Sequence, residues 1–200
     1  DVDTLQTLPQ DEFRAGMAEV IKYGVIADRD LFEFIDENAK AILDLDFAAL
    51  EHIIETSCAI KARVVEKDER ESQYRMILNF GHTIGHALEA LTAYSGLKHG
   101  EAVAIGMVYA ARISQEIGKC SDEASRRIRV LVEKVGLPCR LPKLKVGEII
   151  EAMYLDKKAE NKNIRFILVK DIGLVEIADG VSESVLQKIL QDNQHREGAL

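Results

Sequence analysis

The chain has 200 residues, of which 47% are apolar and 30% charged, and its formal net charge is −8. That length supports a substantial hydrophobic core, and the negative charge argues against nucleic acid or an anionic membrane surface as a partner. No apolar run approaches the ~20 residues that cross a bilayer, and the N-terminus is not a signal peptide. A cytoplasmic protein with no membrane partner is therefore expected. Three widely spaced cysteines without a C-x-x-C motif, Cys58, Cys120 and Cys139, are predicted to be reduced packing residues.

Apolar residues at helical spacing dominate the chain. Helices are predicted from Pro9 and Asp11 onward and over residues 30–43, 47–68, 79–94, 100–117, 121–136, 146–154 and 182–192. Two strands are predicted over 165–170 and 174–177, forming a hairpin. The polar tail after residue 192 is expected to be disordered. Residues 1–200 are thus predicted to form a single mainly α domain with a small β-hairpin near the C-terminus. The alternating βαβ pattern and the G-x-G-x-x-G motif of dinucleotide-binding domains are missing from the sequence.

Three of the five histidines lie within residues 79–101, on a segment that otherwise resembles a buried helix. His82 and His86 are spaced i, i+4 and so share a helix face. From this spacing alone, the hypothesis is that both bind one metal ion. The alternative is a pair of hydrogen-bonded core histidines. His99 follows a predicted loop and is a candidate third ligand at a helix start.

A carboxylate and a lysine on the first helix form a second candidate feature. Glu19 lies beside Val20 and Ile21 on a strongly apolar helix, where an unpaired charge would be costly. Lys22 is one turn further along the same face. The alternative is an exposed glutamate–lysine pair, which is common on helix surfaces.

Several cations are expected to gather near the histidines. Arg75 and Asn79 are spaced i, i+4 and lead into the segment that contains His82. They could form a local positive pocket for phosphate or carboxylate groups, together with Lys61, Lys98, Lys157 and Lys158. The alternative for each of them is an ordinary solvated surface residue.

Five motifs follow one another in order along the chain. They are residues 16–24 after Leu8 and Pro9, then Lys61, residues 75–89, residues 99–103 and residues 156–158. In sequence and spacing they resemble the C-terminal, helical half of 3-dehydroquinate synthase, and they cover nearly the whole chain. The resemblance implies that the family's N-terminal NAD-binding domain is absent from this chain. Gln73 and Ala15 depart from the family pattern, but neither is a proposed ligand.

Enzymes of this family convert 3-deoxy-arabino-heptulosonate 7-phosphate to 3-dehydroquinate and phosphate in the shikimate pathway, using NAD and a divalent metal, zinc or cobalt. The resemblance implies a metal site other than the His82–His86 pair. It implies Glu19, His82 and His99 as metal ligands, His86 and Glu71 as catalytic acid–base residues, Lys22, Lys61, Arg75, Asn79 and Lys157 as contacts of the sugar-phosphate substrate, and Thr4 and Thr7 at the border of the NAD site.

Two other functions are compatible with these motifs. A related sugar-phosphate cyclase, such as 2-deoxy-scyllo-inosose synthase, would share the metal triad, although Lys61, Arg75 and Asn79 together favour the dehydroquinate enzyme. A non-catalytic helical binding module is the other alternative, and the retention of the expected polar residues argues against it. The isolated chain is expected to be inactive, because half of the cleft and most NAD contacts would belong to the N-terminal domain. The full enzyme is expected to be a homodimer.

Overall fold

The computed structural model describes residues 1–68, 74–93, 96–158 and 164–192, except for the side chains of residues 156–158. These ranges contain eight α-helices: α1 (Gln10–Ala27), α2 (Arg29–Leu43), α3 (Phe47–Lys67), α4 (His82–Leu91), α5 (His99–Glu116), α6 (Asp122–Lys134), α7 (Val146–Lys158) and α8 (Glu183–Gln191). Two 3₁₀ helices span Val2–Thr7 and Tyr74–Asn79, and the strands are β1 (Arg165–Asp171) and β2 (Leu174–Asp179).

The predicted class, mainly α with a hairpin near the C-terminus, is confirmed. Strands β1 and β2 pair antiparallel, with Arg165 opposite Asp179 and Val169 opposite Val175. The tail predicted to be disordered lies outside the described residues. Within the described ranges, no helix is both long and apolar enough to span a membrane.

The start of the histidine helix differs from the prediction. The predicted helix began at residue 79, whereas α4 begins at His82 and residues 74–79 form a separate 3₁₀ helix. The break occurs at Gly81, whose φ of +82° is left-handed and ends helical geometry there. Arg75 and Asn79 therefore do not share a helix with His82, and the i, i+4 argument that joined them to it was wrong.

Helix α5 lies at the centre of the molecule and belongs to two hydrophobic clusters. One cluster combines it with α1, α2, α3 and α6, and the other with α4, α7, α8 and the hairpin. Ser114, fully buried on α5, joins it to the hairpin: its hydroxyl donates to the Ala110 carbonyl (2.7 Å) and accepts from the Val169 N–H (2.9 Å). Helix α5 therefore sets the relative positions of the elements around it.

Two glycines allow α5 to contact the backbone of its neighbours directly. A Cβ atom at Gly106 would lie 1.9 Å from the Gly81 carbonyl oxygen, just before α4. A Cβ atom at Gly100 would lie 2.0 Å from the Ala15 carbonyl oxygen on α1. No side chain fits at these distances, so glycine at both positions brings α1, the start of α4 and the start of α5 together.

The three cysteines differ in burial, so only some of them are packing residues. All three thiols are free. Cys139 is buried, and burial raises its pKa to about 12; Cys120 is half-buried, with a pKa raised to about 11 chiefly by burial. Cys58 is exposed on α3, so the prediction that it is a packing residue was wrong.

The glycine contacts predict a destabilising substitution at Gly106. We expect Gly106→Ala to lower the free energy of unfolding by about 2 kcal/mol or more, because the new methyl group overlaps a backbone oxygen that α4 holds in place. Urea denaturation followed by circular dichroism measures this change. The matched control is Gly16→Ala in the interior of α1, where a Cβ meets nothing within 4 Å; it should stabilise by up to ~1 kcal/mol through helix propensity. Equal effects of the two substitutions would contradict the contact described here.

Candidate metal and substrate site

Three helices each contribute one polar side chain to a single point. Glu19 comes from α1, His82 from the first residue of α4 and His99 from the first residue of α5. One potential ligand atom from each of these residues lies within 4.8 Å of the others. Among the residues that the structure describes, no other set of three His, Cys, Asp or Glu side chains is close enough together to hold a metal ion.

The Glu19 carboxylate is paired at one oxygen and unpaired at the other. Its Oε2 atom accepts from Lys22 Nζ at 2.5 Å. Its Oε1 atom is buried and lies 3.7 Å from His82 Nε2, and among the described residues it has no hydrogen-bond partner. A buried carboxylate oxygen without a partner is costly, and a cation between Glu19 and His82 would remove that cost. The residues present thus fit a metal ion.

The His82 ring is held in the form that binds metals. Its Nδ1 atom lies 3.1 Å from the Phe80 carbonyl oxygen, which can only accept, so Nδ1 carries the proton and Nε2 keeps its lone pair. Burial, and then the charge of Lys22, lower the pKa of His82 from 6.5 to about 4. Neutral imidazole, the ligand form, is therefore favoured at neutral pH.

His99 is oriented by a carboxylate that sequence reasoning left without a role. Its Nδ1 atom lies 3.1 Å from Oε1 of Glu89, a buried residue on α4. Because a carboxylate accepts, Nδ1 donates and Nε2 remains as the nitrogen available to a metal. One signal in the sequence could have revealed Glu89: it follows His82 by seven residues and thus shares its helix face.

The third histidine of the segment stands beside this group but outside it. The ring of His86 is centred 5.4 Å from that of His82 and 6.2 Å from that of His99, and its side chain is exposed. The ring of His99 is about as far from that of His82 (5.3 Å), so the ring distances do not separate the two histidines. The group of ligand atoms within 4.8 Å of one another contains His99 and not His86 among the described residues, and this favours the ligand set implied by the family resemblance over a His82–His86 pair.

Lysine charges lie on one side of the group. Lys22 is only 3% exposed, and burial lowers its pKa, although Glu19 opposes that shift. Lys61 on α3 is close enough for its charge to lower the pKa of Lys22 further. Lys98 was predicted to join this positive region, but its ammonium is paired with Asp11 (2.7 Å) and Glu12 instead.

Three predicted substrate contacts lie on α3 and the second 3₁₀ helix, and the predicted catalytic His86 lies on α4. Within the described ranges, the exposed side chains of Lys61, Asn79 and His86 form neither hydrogen bonds nor ion pairs. The Arg75 backbone N–H donates to the buried Asp68 carboxylate (3.0 Å), and its guanidinium has no partner in the described part of the chain. These groups remain available to an anionic ligand.

Two of the remaining predicted residues, Thr4 and Thr7, lie at the N-terminus of the chain. Thr4 and Thr7 are exposed on the N-terminal 3₁₀ helix, which packs against α3, and their hydroxyls donate to the Asp1 and Thr4 carbonyls. Glu71 lies outside the described residues, and so does the side chain of Lys157.

The sequence is similar to curated 3-dehydroquinate synthases. Curated 3-dehydroquinate synthases from Pelobacter propionicus and a Synechococcus strain are 50% and 52% identical to the chain, over 93% and 96% of its length. The chain spans about half the length of each (52% and 53%).

Solved structures of related enzymes share the fold. A 2-epi-5-epi-valiolone synthase from Streptomyces hygroscopicus with NAD⁺ and Zn²⁺ bound has a TM-score of 0.89 at 21% identity, covering 98% of this chain and 55% of the other. A 2-deoxy-scyllo-inosose synthase complexed with carbaglucose-6-phosphate, NAD⁺ and Co²⁺ has a TM-score of 0.83 at 26% identity, covering 96% and 55%.

The family assignment follows from the sequence match. The family model described as 3-dehydroquinate synthase C-terminal matches residues 16–159, well over half of the chain. The chain therefore belongs to the 3-dehydroquinate synthase C-terminal family.

Proposed function

We propose that the chain is the metal- and substrate-binding half of a 3-dehydroquinate synthase. In the proposed reaction, 3-deoxy-arabino-heptulosonate 7-phosphate is oxidised, loses phosphate by β-elimination, is reduced and closes by an aldol step to 3-dehydroquinate. The enzyme would then be a carbon–oxygen lyase acting on a phosphate. The observation that carries this proposal is the convergence of Glu19, His82 and His99 in a chain of this family.

The donor set supports a catalytic metal. One carboxylate and two imidazoles suit zinc or cobalt and leave a coordination position open, as in catalytic rather than structural sites. When bound, the metal would polarise substrate oxygens and NAD would accept and return a hydride. Two solved relatives contain NAD⁺ with Zn²⁺ or Co²⁺, which supports the same pair of cofactors here.

The chain's own residues would bind and orient the substrate. Lys61 and Arg75 carry charges without partners in the described structure and suit a carboxylate and a phosphate. Asn79 would bind hydroxyl groups, and Lys22, which is paired with Glu19, would hold that carboxylate in place and contact the substrate from the same side. Lys157 is proposed as a further contact on the motif match.

Proton transfer is assigned to His86 and Glu71. His86 is exposed beside the metal ligands, and its ring nitrogens have no hydrogen-bond partner in the described structure. Imidazole is the commonest general acid–base group in enzymes, and this ring is accessible to a substrate. Glu71 is assigned on the motif match.

Thr4 and Thr7 would border NAD, and an N-terminal domain like the remaining half of the curated relatives would supply most of the NAD site.

The metal site predicts specific cobalt binding by the chain. We expect one Co²⁺ per chain, with the visible absorption of a tetrahedral or five-coordinate centre, because the three ligands come from helices held together within this domain. His82→Ala should lower the affinity by more than about 100-fold, beyond the usual cost of losing an outer-sphere partner. Titration followed by absorption spectroscopy measures both.

His52→Ala is the matched control for that titration. His52 is exposed on α3 and contacts Phe34, away from the three ligands. Its replacement should leave cobalt affinity unchanged. Equal losses in the two variants, or binding that persists in His82→Ala, would refute the ligand assignment.

Turnover requires a complete cleft, so we expect it in a fusion and not in this chain alone. A fusion of the N-terminal half of the Synechococcus relative to this chain should release phosphate and form 3-dehydroquinate when NAD and Co²⁺ are present. His86→Ala in the fusion should lower kcat by about 100-fold or more, the usual contribution of a general acid–base group. Coupled phosphate release and product detection measure both.

Assaying the fusion with more than one sugar phosphate distinguishes the dehydroquinate enzyme from the two alternative functions. A fusion that turns over glucose 6-phosphate instead would favour an inosose synthase-like cyclase, the second candidate suggested by the neighbouring fold. A folded, metal-loaded fusion that turns over neither substrate would favour a non-catalytic module. Turnover by the isolated chain would contradict the need for a second domain.

A further inference from the structure

Glu89, whose carboxylate lies within hydrogen-bond distance of His99, has no role in the ligand set implied by the family motifs. Glu89 is 8% exposed and lies among the buried residues at the end of α4, next to Leu88. A carboxylate in such surroundings is costly unless it is paired. In the described part of the chain, its carboxylate makes one hydrogen bond, the 3.1 Å contact with Nδ1 of His99. Among the described residues, the His99 imidazole is thus the group that offsets the cost of burying this charge.

The backbone of His99 is fixed, but its ring is exposed. The Lys98 N–H donates to the Glu101 carboxylate (2.8 Å), which caps α5, and Gly100 holds the helix start against α1. The His99 side chain itself is 50% exposed, and its ring lies edge-on to that of His82, with the centroids 5.3 Å apart. Among the described residues, the hydrogen bond that fixes which way its nitrogens face is the one with Glu89.

The two imidazoles of the site are held by different kinds of acceptor. His82 donates to a neutral backbone carbonyl, whereas His99 faces a carboxylate. Both contacts place the proton on Nδ1. A carboxylate partner also increases the electron-donating capacity of the opposite nitrogen, as in carboxylate–histidine–metal arrangements. His99 is therefore the imidazole of this pair whose orientation depends on the side chain of another residue.

We propose that Glu89 is a positioning residue that orients His99 and fixes its Nδ1–H tautomer for metal binding. This inference rests on the proposed metal site, and it concerns a residue that does not itself contact the metal or the substrate. Glu89 also connects α4 to α5, so it joins the helix that carries His82 to the residue that supplies the third ligand.

The first test measures cobalt affinity by competition with a chromophoric chelator. Glu89→Ala should lower the affinity by about 10- to 100-fold, the range for loss of an outer-sphere partner. Glu89→Gln keeps an acceptor oxygen but removes the charge, so it should recover part of this loss. Glu33→Gln is the matched control: Glu33 is paired with Arg127 between α2 and α6, away from the site, and its loss should leave the affinity unchanged.

The second test needs no metal and separates this inference from the proposed function. In ¹⁵N-labelled metal-free chain, long-range ¹H–¹⁵N spectra of the imidazoles should show His99 in the Nδ1–H form. Glu89→Ala should shift it toward the Nε2–H form. A wild-type chain that binds no cobalt but shows this tautomer change would refute the metal site while supporting the role of Glu89.

Three outcomes would overturn the inference. One is a folded Glu89→Ala variant that binds cobalt as tightly as the wild type. Another is an unchanged His99 tautomer in that variant. If Glu89→Ala does not fold, Glu89→Gln decides, and wild-type cobalt affinity in Glu89→Gln would count against the proposal.

Discussion

The approach of helix α5 to the backbones of α1 and α4 is the constraint on which the candidate site depends. Gly100 and Gly106 permit contacts that any larger residue would block. The first places the start of α5 against α1, one turn from Glu19, and the second places α5 against the residue before α4. Three ligands that are far apart in sequence, Glu19, His82 and His99, are thereby brought together by packing between helices and not by a loop.

This packing creates a cluster of polar groups in which one carboxylate oxygen has no hydrogen-bond partner among the described residues. Lys22 neutralises one oxygen of Glu19, and the other oxygen is buried with no hydrogen-bond partner in the part of the chain that the structure describes. His82 is held neutral, with the proton on the nitrogen that faces away from Glu19. Hydrophobic burial elsewhere in the domain offsets the cost of this arrangement. A bound cation would complete the cluster, which is the physical reason to interpret it as a functional site.

Sequence patterns predicted the helices, the hairpin and the mainly α class, because apolar periodicity is a local property. They misplaced the start of α4, since the left-handed Gly81 that ends the preceding segment interrupts a continuous apolar pattern. Spacing alone paired His82 with His86, because neighbours on one helix are visible in sequence, whereas the approach of Glu19 and His99 is long-range. The family motifs indicated the long-range set, but not Glu89, whose role depends on a contact between two helices.

We expect this chain to bind the metal through Glu19, His82 and His99 without a second domain. The most direct measurement is anomalous X-ray diffraction at the zinc edge from crystals of the chain grown with Zn²⁺. We expect one strong peak about 2.0–2.2 Å from a Glu19 oxygen and from one nitrogen of each histidine. A zinc ion bound by His82 and His86 without Glu19, or no ordered zinc at this point, would contradict this expectation.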